Sequence, residues 1–447
     1  MNVGFDASCR VRHHLIGTSR SRRLQAPLLS LVLFGAVACG EGNEGAPSQV
    51  SQEPVALKSG DIETWAGTGT QGDNGDGKAR TDTWLDEPME MVFADDGSAI
   101  VVDWNNHCVR RVTTKGVFQN VIGSELPGDW PCQFPGSTEP TMCQVPLSGQ
   151  VLGDDLHLNH PTDVAFTDGG SFYLAAWHNH KVESYDAATK EVTVVAGQQR
   201  PGPAVATAPA VSDGGPAANA TLNFPSSLVI QSDGSLLVSD EKNNRVRRIG
   251  TDDARTITTV AGSAAGVGQN MDGVAATAAL LALTTSDELS GADNPPPGGA
   301  LALDSDGALY VSDTFHHAIR RIDPGADGVV TGDADETITT VAGTLGEAGY
   351  DGDGGPATAA HLHQPFDIEL HDGALYIADT ENHAVRRVGL DDGQIATIAG
   401  TGVPGFSGDG GPAKKAKLRE PYGLAFDSKG DLYVVDTINS RIRRILR

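Results

Sequence analysis

Ile395-Ala-Thr-Ile-Ala-Gly400, Gly408-Asp-Gly-Gly-Pro-Ala413, Pro421-Tyr-Gly-Leu-Ala-Phe-Asp427, Leu432-Tyr-Val-Val-Asp436 and Asn439-Ser-Arg-Ile-Arg-Arg-Ile445 are five phrases of one unit, which the chain writes six times. The copy before it has Ile338-Thr-Thr-Val-Ala-Gly343, Asp351-Gly-Asp-Gly-Gly-Pro356, Pro365, Leu375-Tyr-Ile-Ala-Asp379 and Asn382-His-Ala-Val-Arg-Arg387. Earlier copies place the same proline at Pro88, Pro161, Pro225 and Pro297. The aspartate recurs at Asp103, Asp240 and Asp313, with Ala176 in its place in copy two.

Each unit reads as four short strands. Alternating apolar residues between Gly and Asn/Asp turns are what strands packed on both faces require. A four-stranded antiparallel sheet at this period is a propeller blade. The sequence therefore predicts an all-β, six-bladed β-propeller over residues 61–447. The last copy lacks a fourth strand, and Ile62-Glu-Thr-Trp-Ala-Gly67 is a fourth strand without a blade. The N-terminal strand is expected to complete blade six and close the ring, which removes exposed sheet edges.

The run Asp-x-x-Asn-His-x-Val-Arg-Arg, with Pro-x-Gly-Leu-Ala before it, resembles the NHL repeat. The Gly-Asp-Gly-Gly-Pro-Ala spacer resembles the form found in bacterial extracytoplasmic NHL proteins and in the NHL module of teneurins. The resemblance covers nearly all of residues 61–447. It implies a fold; function does not follow, because propellers host unrelated activities.

Arg20, Arg22 and Arg23 precede an apolar run from Ala26 to Ala38, which ends on Ala36-Val37-Ala38-Cys39. This is a secretory signal, and its small residues before a cysteine resemble a bacterial lipobox. Residues 1–38 are expected to be a lipoprotein-type signal peptide and Cys39 the lipidated first residue. Cleavage after Ala38 with Cys39 left free is the alternative. Residues 39–60 would then be a flexible tether and the chain extracytoplasmic, held to the envelope through lipid. Residues 1–38 carry five Arg and one Asp, so their removal takes the formal charge from −26 to −30. Such a surface repels phosphate backbones and argues against nucleic acid. Cys132 and Cys143 share one Pro-rich insertion and are expected to pair, leaving Cys108 over.

Recurrence separates structural from chemical candidates. Asp103, Asp240, Asp313, Asp379 and Asp436 each have Asn or His three residues later, a pattern that capped turns explain. His107, His180, His317 and His383 occupy one position in different blades, on an outer strand, and so cannot converge on one ion. The Arg pairs are expected to meet carboxylates. Asp351 and Asp353 superficially suggest a calcium loop but lack its twelfth-position Glu, so the spacer should form a turn and a short helix opened by Pro356 or Pro412.

The second residue after each repeat proline is Glu90, Asp163, Ser227, Gly299, Asp367 and Gly423. On innermost strands these positions approach the central channel, where Glu90, Asp163 and Asp367 would repel unless protonated or bridged. They are the candidate cation site, with Ca2+ the first choice. No nucleophile triad, phosphate loop or metal-spaced Cys/His cluster stands out. The leading expectation is a non-enzymatic module that binds a protein or glycan through the face shared by the long loops and the Asp-x-x-Asn turns. Trp84, Trp130 and Phe134 are candidate anchors. The competing expectation, from resemblance to six-bladed gluconolactonase-type hydrolases and the peptidyl-hydroxyglycine amidating lyase, is a metal-dependent lactonase or lyase. It would use those carboxylates as ligands and His157 or His160 as base.

Overall fold

Pro421 starts the innermost strand of blade six, Pro421–Phe426, which turns at Gly430 (φ +85°) into Leu432–Asp436. A left-handed residue, Ser440, then leads into Arg441–Ile445. The computed structural model describes residues 57–123, 151–153, 156–197, 213–263, 272–284 and 297–447. Cys39, Cys132, Cys143, Trp130 and Phe134 lie outside the described residues, so the lipid, disulfide and two of the three anchor expectations do too. Six sheets repeat the pattern of blade six, with innermost strands Pro88–Phe93, Pro161–Phe166, Pro225–Ile230, Leu301–Leu303, Pro365–His371 and Pro421–Phe426. Asp61–Ala66 pairs antiparallel with Arg441–Ile445 and closes the ring as blade six's fourth strand. Apolar side chains of adjacent blades merge, as where Leu237 and Val260 of blade three meet Leu309 and Val311 of blade four.

The spacer does more than turn. Gly411–Pro412 pairs with Asp61 and Ile62, and Gly215–Pro216 with Thr256 and Ile257. Each spacer leaves the top of one blade and adds a two-residue strand at the lower outer edge of the next. There it covers hydrogen-bonding groups that would otherwise be exposed. The long connections therefore do not stay on one face, contrary to expectation. Pro356 and Pro412 also sit one residue earlier than expected. They are the extended residues before the 3-10 turns Ala357–Ala359 and Ala413–Lys415.

The spacer also carries a charge network. Arg247, Arg320, Arg386 and Arg443 are fully buried, each between a spacer aspartate and the repeat aspartate of its blade. In blade five, Arg386 meets Asp353 at 2.8 Å and Asp379 at 3.2 Å. In blade six, Arg443 meets Asp409 at 2.5 Å and Asp436 at 3.2 Å. The repeat aspartate also accepts Asn382 Nδ2 (2.9 Å) and the backbone N–H of His363 (2.8 Å). Charge is tolerable in this interior because both oxygens of Asp379 accept hydrogen bonds and Arg386 is paired with it. Blade two, with Ala176 and Glu183, lacks the network.

Blade four is shifted by one residue. Leu301 pairs with Val311 as Leu228 pairs with Val238, which puts Gly298, not Pro297, in the repeat proline's slot. The channel-facing position is thus Ala300, not Gly299. The residue before the slot is left-handed in the other five blades, at Glu87, His160, Phe224, Gln364 and Glu420 (φ +46° to +60°). Pro297 cannot adopt that conformation, and Gly299 (φ +83°) absorbs the change.

Candidate functional site

The channel wall comes first. Asp163 Oδ2 accepts the N–H of Leu228 in the next blade (2.7 Å), and Asp367 Oδ2 that of Leu424 (2.6 Å). Ser227 Oγ does the same for Leu301 (3.1 Å). This position is an inter-blade clasp. At Gly423 a Cβ would lie 2.6 Å from the Met89 carbonyl, so only glycine lets blades six and one approach. Glu90 accepts the N–H of Met91 instead (2.7 Å). Glu90, Asp163 and Asp367 line a cavity of about 380 Å³ with Glu369, which sequence reading missed. Burial raises all four carboxyls: Asp163 to about 6, Glu369 to about 7, and Glu90 and Asp367 well above their ordinary range. Mutual repulsion adds to Glu90, through Asp367 and Asp163, and to Asp367, through Glu369. Among the described residues, no group of three or more His, Cys, Asp or Glu is gathered closely enough to hold a metal ion.

On the face of the Asp-x-x-Asn turns the axis is plugged. Met89, Trp104, Trp177, Phe366 and Tyr422, from blades one, two, five and six, form one buried cluster with Phe224 of blade three against it. The recurring histidines are structural, and they sit in the turn before the third strand, not on a strand. His107, His180, His317 and His383 are left-handed there. Their Nδ1 atoms accept backbone N–H groups of the next blade: His160, Phe224, Gln364 and Glu420, at 3.1–3.3 Å.

The residue after the repeat aspartate breaks the pattern. Blades four to six have Thr314, Thr380 and Thr437; the last two donate to the carbonyls of Pro421 and Pro88 in the next blade (2.8 Å each). Blades one to three have Trp104, Trp177 and Glu241, and Trp177 Nε1 donates to Glu241 Oε2 (2.7 Å). Trp104 is 6% exposed, and its Nε1–H meets no acceptor among the described residues. His160 packs on Trp104 and His178 on Trp177, with ring centroids 4.2 Å apart in both cases. Asn105, His178 and Lys242 follow in the half-exposed next position, and Lys242 Nζ sits 4.1 Å from the Phe224 ring.

A model of the teneurin NHL domain matches residues 296–446, the regular blades four to six. Mouse teneurin-1 is 29% identical over 259 residues, covering 52% of this chain and 8% of that protein. Chicken NHL repeat-containing protein 2 is 27% identical over 141 residues, covering 30% and 18%. The repeats of this six-bladed β-propeller are NHL-like, and in blades four to six they match the teneurin NHL domain. A crystal structure of an auxiliary nutrient binding protein from Bacteroides thetaiotaomicron superposes on the propeller with a TM-score of 0.55 at 16% identity, covering 86% of this chain and 75% of that one, a likeness of fold. The matched segments span less than a fifth of the length of these curated relatives.

The site residues expected from sequence thus fall apart in the propeller. Glu90, Asp163 and Asp367 share the channel. His160 belongs to the plugged face, where burial first and His107 second hold its pKa at about 3, too low for a base near neutral pH. His157 is half-buried and does not line the channel cavity. Trp84 is 39% exposed on the blade-one spacer. Trp104, Trp177, His178, Glu241 and Lys242 went unread, although aligning the residues after each repeat aspartate shows Trp, Trp, Glu, Thr, Thr, Thr. Among the described residues, no helix is long and apolar enough to cross a membrane.

Proposed function

We propose that this propeller is a non-enzymatic, extracytoplasmic binding module that recognises a protein or glycan on its Asp-x-x-Asn face, over blades one to three. One observation carries the reading. On a backbone that repeats six times, these blades alone replace a structural threonine with Trp104, Trp177 and Glu241, leaving the Trp104 indole N–H buried with no acceptor among the described residues. Such an orphan costs about 1–3 kcal/mol, and a partner's acceptor would recover it. Trp84 would extend the surface outward. A leader and lipidated Cys39 would place it on the envelope.

The test is glycan-array and envelope-protein binding by the purified propeller, with an Asn105→Ala/His178→Ala/Lys242→Ala variant beside wild type. Binding should fall more than tenfold in the variant. The groove of about 470 Å³ between blades one and two, on the opposite face beside Phe166 and Lys190, is the rival. Loss on Lys190→Glu with the triple variant intact would move the site there. A second reading, a hard cation such as Ca2+ bridging Glu90, Asp163 and Asp367, has Glu369 in the same cavity but would need these carboxylates to draw closer together than they stand. It would carry lactonase or lyase chemistry. Elemental analysis showing one equivalent of calcium, lost on Asp163→Asn, would establish the ion.

A further inference from the structure

Two imidazoles in the same sector stand closer than packing requires. His160 Nδ1 and His178 Nδ1 are 2.9 Å apart. His160 Nε2 faces Asn105 Oδ1 at 3.2 Å, and Asn105 Nδ2 donates to Glu87 Oε2 at 3.0 Å. A carboxylate only accepts, so the Asn105 amide nitrogen must face Glu87 and its oxygen must face His160. His160 therefore carries its hydrogen on Nε2 and its lone pair on Nδ1. In the neutral pair the shared proton belongs to His178 Nδ1.

We propose that His160 and His178 bind one divalent transition ion of the Cu2+ or Ni2+ type through their Nδ1 atoms, the ion taking the place of the shared proton. That proton leaves Nδ1 while His178 Nε2 takes one from water, so the ring stays neutral and no net proton is released. The spacing, set by the shared N–H···N bond, also suits one class of ion. Metal–imidazole bonds of about 2.05 Å at a right angle put two nitrogens about 2.9 Å apart, whereas a tetrahedral angle puts them about 3.3 Å apart. The observed 2.9 Å is the spacing of neighbouring positions in a tetragonal site. Water would fill the remaining positions. The Glu87–Asn105–His160 chain is the arrangement that fixes a metal-binding imidazole: its second N–H is held by an oxygen that is itself held in place. Trp104 and Trp177 behind the rings keep both planes set. Lys242, with its ammonium over Phe224, borders His178 and weakens the site without filling it.

The inference is separate from partner recognition, since the ion is read on the protein alone. Titration of the purified protein with copper sulfate, followed by electron paramagnetic resonance, should show one equivalent coupled to two imidazole nitrogens. His178→Ala should weaken binding at least 100-fold. His160→Asn should do the same while tolerating the left-handed backbone, so folding is preserved. Glu87→Ala should weaken it about tenfold. His361→Ala, on the exposed group His361–Asp351–Glu347, should leave it unchanged. Unchanged binding in both histidine variants, coupling to fewer than two nitrogens, or tighter binding of Zn2+ than of Cu2+ would overturn the proposal.

Discussion

At the position after each blade's second strand, blades four to six place Thr314, Thr380 and Thr437, while blades one to three place Trp104, Trp177 and Glu241. All six side chains are buried. The threonines of blades five and six stitch one blade to the next with a single hydroxyl. The indoles and carboxylate instead build a plug across the axis and support two imidazoles above it. A repeat that needed only closure would keep one solution throughout. Where backbone repeats and side chain does not, the side chain answers to something other than the fold.

The largest effects should come from what the regular blades share. Asp379→Ala would leave Arg386 buried against a half-exposed partner, Asp353, and should cost about 3–5 kcal/mol in urea unfolding. Asp353→Ala, at a side chain 52% exposed, should cost about 1 kcal/mol or less. Equal costs would mean that the two carboxylates do not divide into anchor and cover. Next, Trp177→Phe removes the donor to buried Glu241 and should cost about 1–3 kcal/mol. Thr380→Val, in the regular half, should cost about 1 kcal/mol. A reversed order would contradict the division of labour between the halves.

The channel carboxylates give a smaller, pH-dependent signature. Asp163 and Glu369 are raised by burial to about 6 and about 7, above their values in an unfolded chain. The native state therefore takes up protons first. The resulting stabilisation is fully present below pH 4 and is lost as pH rises through 6 and 7. The urea midpoint should be higher at pH 5.5 than at pH 7.5, and Asp163→Asn with Glu369→Gln should flatten the slope. An unchanged slope would mean that other groups set the pH response. Smallest of all, His178→Ala should change the unfolding free energy by less than about 0.5 kcal/mol, as befits a half-exposed position.

The fold was legible because it is written six times. Pro421, Gly430, Asp436 and Ser440 mark strand, turn, strand and turn in one blade, and the other copies confirm the period. Closure by Asp61–Ala66 followed from counting strands. The register slip at Pro297 did not, because choosing Gly298 as the slot takes strand pairing, which sequence does not display. The spacer's edge strands escaped for a similar reason: Gly411 and Pro412 have low strand propensity and pair only because a sheet edge is there. At the site, repetition hid as much as it showed. The channel position varies most visibly in charge, yet Asp163 and Asp367 there clasp the next blade. The informative column lay after the repeat aspartate. Glu369 was missed because its exposure to the channel depends on strand orientation within blade five.

If recognition sits on blades one to three of the Asp-x-x-Asn face, it should be lost there and not in the other half of the ring. Equivalent half-exposed positions allow a matched test: Asn105→Ala/His178→Ala/Lys242→Ala against Phe315→Ala/Glu381→Ala/Ile438→Ala, both measured for glycan and envelope-protein binding beside wild type. A loss of more than tenfold is expected in the first variant and a change of less than twofold in the second, with both melting near wild type. Equal losses, or loss confined to the second variant, would contradict it.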